Sequence, residues 1–255
     1  MKKIANIIRN ELMTAFSNKM IFLCFLFSLL AIPVMNLFKF FSVAEEMKMI
    51  KDFSFSIVAL LGIVLSIFYP SFSLREDFER KYIYNILSKP ISRTYYVIGK
   101  IIAFCVVITI ISAVNFAVLY ALILIKGYSL SLSFVEASIL LLFKFYIIIA
   151  LSAFFGSMPF SYHISSILTL FLFILGTLKS YVLTIIRYSK LGWASKISLP
   201  FLKIAPNFQL FDVYESVIGG DTVLFKTFLQ ILLYGIFYFA IFVILTSIIV
   251  SKKEL

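Results

Sequence analysis

From Arg75 to Arg93 the chain gathers Arg75, Glu76, Asp77, Glu79, Arg80, Lys81, Lys89 and Arg93 into one short stretch. Such side chains offer ion pairs and charged hydrogen bonds to a partner in water. Phe78, Tyr82 and Ile86 recur four residues apart, so a helix places them on one face. Ser73 and Glu76 have the spacing of a capping box, which puts Glu76, Asp77 and Glu79 in the favourable first turns. Ser88 and Lys89 then precede the stop at Pro90. A capped amphipathic helix of about four turns reads as a docking surface. The plainer reading is a solvated connector.

Other residues with chemical potential are sparse. Lys144 sits inside an apolar run, where a cation costs roughly 2.5–3.5 kcal/mol. It lines a transport path or meets an anionic headgroup, or else it snorkels or pairs structurally. Asn115, inside another run, suits an interhelical hydrogen bond or a place on that path. His163 is the single histidine and builds no metal site alone. Cys24 and Cys105 lack a CxxC partner and read as apolar packing. There is no G-x-x-x-x-G-K-[ST] loop; Gly99-Lys100 lacks the earlier glycine and the following Ser or Thr. Neither HExxH nor GxSxG occurs, so the chain reads as no enzyme.

The elements that hold these residues are apolar. Of 255 residues 62% are hydrophobic and 14% charged, too little polar surface for a water-soluble globule. Phe53–Leu74 and Ile101–Ile125, on either side of the charged stretch, hold no Asp, Glu, Lys or Arg. Six blocks are long enough to span a bilayer: 20–38, 53–74, 96–125, 134–156, 163–186 and 227–250. They do not alternate as barrel strands do, and lipid leaves backbone groups no partner outside a helix. Gly156, Ser157, Pro159 and Ser161 turn the chain between the fourth and fifth blocks.

Residues 1–19 read as an amphipathic helix lying along the interface, not as a signal peptide. Ile4, Ile7, Ile8, Leu12, Ala15 and Phe16 share one stripe, with Lys3, Asn6, Arg9 and Asn10 opposite. Residues 187–226 read as short extracellular helices on or dipping into the membrane surface, and 75–93 as the charged loop. The expected fold is thus a single all-α integral membrane domain over 1–255. Basic residues are nearly balanced between the two sides, so charge bias does not orient it. The net charge of +11 points to anionic lipid headgroups and not to nucleic acid.

Ile86-Leu87-Ser88-Lys89-Pro90-Ile91-Ser92-Arg93, followed by Tyr95-Tyr96-Val97-Ile98-Gly99-Lys100, resembles the first cytoplasmic loop of ABC-2-type transporter permeases. These are the membrane subunits of type V exporters in the ABC superfamily. The nearer subgroup contains the nitrous-oxide-reductase maturation permease. Glu76, Glu79, Arg80, Leu87, Ser88, Pro90, Arg93, Gly99 and Lys100 match that pattern. Phe155-Gly156-Ser157-Met158-Pro159, Ala205-Pro206-Asn207-Phe208-Gln209-Leu210-Phe211 and the basic ending at Lys252-Lys253 resemble further parts of it. Lys81-Tyr82 departs from it, standing where many members carry a small pair.

The resemblance implies a coupling helix between spans two and three that docks on a separate ABC ATP-binding subunit. Glu76, Asp77, Phe78, Glu79, Arg80, Tyr82, Ile86, Leu87, Ser88, Lys89, Pro90 and Arg93 would form that contact. Two permease copies would pair with two ATPases. ATP and Mg would be bound by the ATPase partner, and no cofactor by this chain. The setting would be a bacterial or archaeal cytoplasmic membrane, with loop and termini cytoplasmic and an unidentified substrate exported. Two other functions stay open: a force-transmitting module acting on an extracytoplasmic protein, and an ATPase-independent scaffold.

Overall fold

The computed structural model describes residues 2–34, 43–79, 93–128, 131–188, 205–219 and 222–252. Among them there are helices and one 3-10 turn, and no strand. The expected contact residues Arg80, Tyr82, Ile86, Leu87, Ser88, Lys89 and Pro90 lie outside the described residues, as do 35–38 of the first expected span.

The chain opens with α1 (Lys2–Ser17) and α2 (Lys19–Val34), bent by 69° at Asn18. The Asn18 side chain accepts the Met20 N–H at 2.9 Å and so restarts the helix in a new direction. Next come α3 (Val43–Glu79), α4 (Arg93–Ile125) and α5 (Leu132–Gly156). Gly127, at φ +80, lets the Tyr128 and Gly127 amides fold back on Ile123 and Leu124 and closes α4. After α5 the chain turns over 157–161, and Ser161 caps α6 (Tyr162–Thr177) by accepting from Ile164 N–H. α7 (Lys179–Tyr188), the 3-10 turn (Phe208–Phe211), α8 (Tyr214–Gly219) and α9 (Phe225–Lys252) complete the described chain.

Among the described residues four helices are long and apolar enough to cross a membrane: Lys48–Glu79, α4, α5 and α9. The bent pairs α1–α2 and α6–α7 raise the number to six if each is one span. The fifth expected span is therefore not one straight helix over 163–186; it breaks at Leu178 with a bend of 66°. Two contacts explain the break. Gly176 lies against the Pro206 carbonyl, and Lys179 donates to the Ala205 carbonyl at 2.8 Å. Both draw the chain toward the 205–219 segment.

A second correction concerns α3. No cap lies at Ser73: the helix runs unbroken through Leu74 to Glu79. The Ser73 hydroxyl donates instead to Glu11 at 2.8 Å. The expected first-turn carboxylates thus sit within α3 and not at the start of a new helix. Two of them are paired with basic side chains. Glu79 accepts from Arg75 at 2.7 Å, and Asp77 pairs with Lys100.

α5 is the central strut. It packs against α3, α4, α6 and α9. Gly62 on α3 admits the Phe145 ring, which a Cβ would meet at 2.2 Å. Nearer the end of α5, Gly156 faces the Ser71 backbone, and the Ser152 hydroxyl donates to the Ile67 carbonyl at 2.6 Å. By contrast α9 and α2 turn large apolar side chains outward, among them Phe237, Ile244, Phe27 and Leu23.

Candidate functional site

One end of the bundle, the foot, gathers α1, the last turns of α3, the start of α4 and the turn between α5 and α6. Tyr162 at the start of α6 stands edge-on to Phe72 of α3, with ring centroids 5.7 Å apart.

The foot holds a buried ionic cluster. Lys100 of α4 is 1% exposed. Its Nζ pairs with Asp77 of α3, donates to the Ser73 carbonyl at 3.0 Å and lies 3.6 Å from the Glu11 carboxylate of α1. Glu11 in turn accepts from the Tyr69 hydroxyl at 2.7 Å and from Ser73 at 2.8 Å. The Tyr96 hydroxyl donates to Asp77. The Tyr96 and Phe104 rings lie 5.9 Å from the ammonium. Two carboxylates therefore share one lysine, and hydroxyl donors carry the excess negative charge.

Desolvating such ions costs several kcal/mol each, offset only by close geometry and full hydrogen bonding. The cluster is hence strongly directional. It fixes α1 and α4 to the last described turns of α3.

Of the residues expected to dock, Asp77 is turned into this cluster and Glu79 into its pair with Arg75. Phe78 packs, half-buried, against the main core. Glu76 and Arg93 are half-buried on the same foot. Sequence reading missed Glu11, Tyr69, Ser73 and Tyr96 as members, and named Lys100 only as a match to the family pattern. A signal existed. Glu11 falls four residues from both Ile7 and Ala15, on the apolar stripe of α1. Lys100 falls on the face of Val97 and Phe104. An ion on an apolar stripe needs a buried counter-ion.

The two intramembrane candidates have separate fates. Lys144, at the midpoint of the 25-residue α5, is buried and donates to Asp212 at 2.6 Å, with the Phe173 ring 5.5 Å away. Asp212 joins the 3-10 turn to α8. That segment thus reaches the depth of Lys144, where irregular backbone must be buried in protein. Phe208 and Phe211 are accordingly 0% and 1% exposed, and the Asn207 N–H donates to the Tyr234 hydroxyl at 2.7 Å. For Asn115 no interhelical bond occurs among the described residues. Its Nδ2 donates to Ile111 within its own helix at 2.8 Å.

His163 stacks beside Tyr162. No cluster of metal-binding side chains occurs among the described residues. Both cysteines are free.

The sequence model of the family described as "ABC-2 family transporter protein" matches residues 34–198, more than half of the chain. Asp77 and Lys100 fall inside that stretch; Glu11 and Asp212 fall outside it. No curated protein matches the chain.

Proposed function

This chain belongs to the ABC-2 family of transporter proteins and is a membrane subunit of an ABC transporter, and from that premise we propose how it is driven. The foot of the bundle docks on a separate ATP-binding subunit. ATP and Mg are held by that subunit, and this chain contributes no catalytic group. Closure of the ATPase pair pushes the charged stretch after Glu79. The Glu11–Lys100–Asp77 cluster passes the push to α1, α3 and α4 together. Physically this is one two-state element biased by a ligand bound elsewhere.

In this reading the foot faces the cytoplasm of a bacterial or archaeal cell, with both ends of the chain on that side. Two copies pair, and the cargo is exported. The Ser88-Lys89-Pro90-Ile91-Ser92-Arg93 motif favours the subgroup containing the nitrous-oxide-reductase maturation permease. The observation that carries the proposal is the buried cluster. It costs stability to build, yet it stands beside the charged residues Arg75–Glu79 that begin the charged stretch.

The test is co-purification. A tagged chain is expected to bring down a protein with a phosphate-binding loop, and Phe78→Ala or Glu79→Lys to reduce its yield severalfold. A complex recovered undiminished from both variants, with ATP hydrolysis still coupled, would sink the docking role of the foot.

A further inference from the structure

Among the described residues, two polar atoms between α2, α3 and α4 lack a protein partner. Asn115 Oδ1, on a residue 1% exposed, accepts no hydrogen bond, and neither does nor donates Ser66 Oγ, on a residue also 1% exposed. Leaving such a group unsatisfied costs about 1–3 kcal/mol. Each atom borders a small cavity. The first is lined by Asn115, Ser112, Ser28 and Cys24; the second by Ser66, Tyr69 and Phe104. Leu65 and Ile111 line both, so the two adjoin. The volume of each is about 10 Å³, close to the room one water needs.

The chemistry of the walls says what fits. An amide oxygen accepts hydrogen bonds only, so the occupant must donate. Ser28 Oγ gives its proton to the Phe25 carbonyl at 2.8 Å and keeps lone pairs to accept a second bond. An occupant of one heavy atom with two donors suits Asn115 and Ser28. Ser66 Oγ can both donate and accept. An apolar guest leaves both oxygens stranded, and a larger one does not enter.

We infer that two water molecules reside between α2, α3 and α4, one on Asn115 and one on Ser66. They form a hydrated seam leading from the ionic cluster, through Tyr69, toward the middle of the bundle. Tyr69 belongs to both, since it lines the second cavity and donates to Glu11. The seam has a mechanical consequence. Where α2 meets α3 and α4 through water, the helices can shift and remake their bonds without stranding a polar atom. This inference does not depend on docking or on transport.

Millisecond X-ray radiolysis of the full chain in lipid nanodiscs tests it, because radicals form wherever water is held. Leu65 and Ile111 are expected to be oxidised at least about fivefold faster than Leu151 and Ile148, which are of matched type, fully buried and line neither cavity. Equal rates for the two pairs would overturn the seam. Asn115→Leu, with its helix content checked, is expected to slow the oxidation of Ile111 only in part, because Ile111 also lines the Ser66 cavity. Because Asn115→Leu can fail to fold, the wild-type comparison alone decides.

Discussion

Lys100 carries more of the structure than any other charged side chain described. It is almost fully buried, and its two carboxylate partners come from helices far apart in sequence. Removing it strands two acids. Lys100→Met is expected to cost about 3–5 kcal/mol, the usual range for breaking a buried ion pair from one side. A lowered melting temperature and faster proteolysis of α1 would report it. The triple change Glu11→Leu, Asp77→Leu, Lys100→Met leaves no stranded charge and is expected to recover most of that stability. It should not recover coupling to ATP hydrolysis. Recovery of both would show that the cluster holds the fold but does not transmit motion. Lys144 differs in kind: among the described residues its carboxylate partner is Asp212, which lies between the 3-10 turn and α8.

That segment, Ala205–Gly219, shows how an element without the length of a span is held at membrane depth. Its backbone polar groups are met by Lys179 and Tyr234, and its aromatic rings by glycines on the neighbouring helices. Gly176 is the tightest of these contacts. A Cβ there would stand 2.4 Å from the Pro206 carbonyl oxygen, a backbone atom that cannot swing aside. Gly176→Ala is expected to push the segment off α6 at a cost of about 1–3 kcal/mol. Hydrogen exchange over 207–217 would rise, while Gly219→Ala, which meets nothing within 4 Å, serves as the silent control. Unchanged exchange in Gly176→Ala would mean that the segment is not pinned through this contact. The same logic governs α3. Its continuation through Ser73 was hidden in the sequence because a serine before acidic residues looks like a cap. The hydroxyl has a better partner on α1 only once the chain is folded.

At the scale of the whole molecule, the foot and the opposite end must face different compartments. The positive charges do not decide between them, but the docking proposal does. With Cys24 and Cys105 replaced by serine, Ser251→Cys at the foot should react with an impermeant maleimide only after cells are opened. Ser131→Cys, at the far end, should react in intact cells. The reverse pattern would put the foot outside and end the proposal that it meets an ATPase. The large apolar side chains that α9 and α2 present outward suit lipid or a second copy, whichever side the foot takes.

The sequence alone determined the class and the rough placement of the helices. Long uncharged runs in lipid have no alternative to a helix, and that constraint is local. The turn at Gly156–Ser161 was legible for the same reason, being written in glycine, serine and proline. Which charges meet was decided by the tertiary structure. Glu11, Asp77 and Lys100 lie far apart along the chain, and only helix packing brings them within reach. The bend at Leu178 and the Lys144–Asp212 pair were settled there too, since each depends on where 205–219 comes to rest.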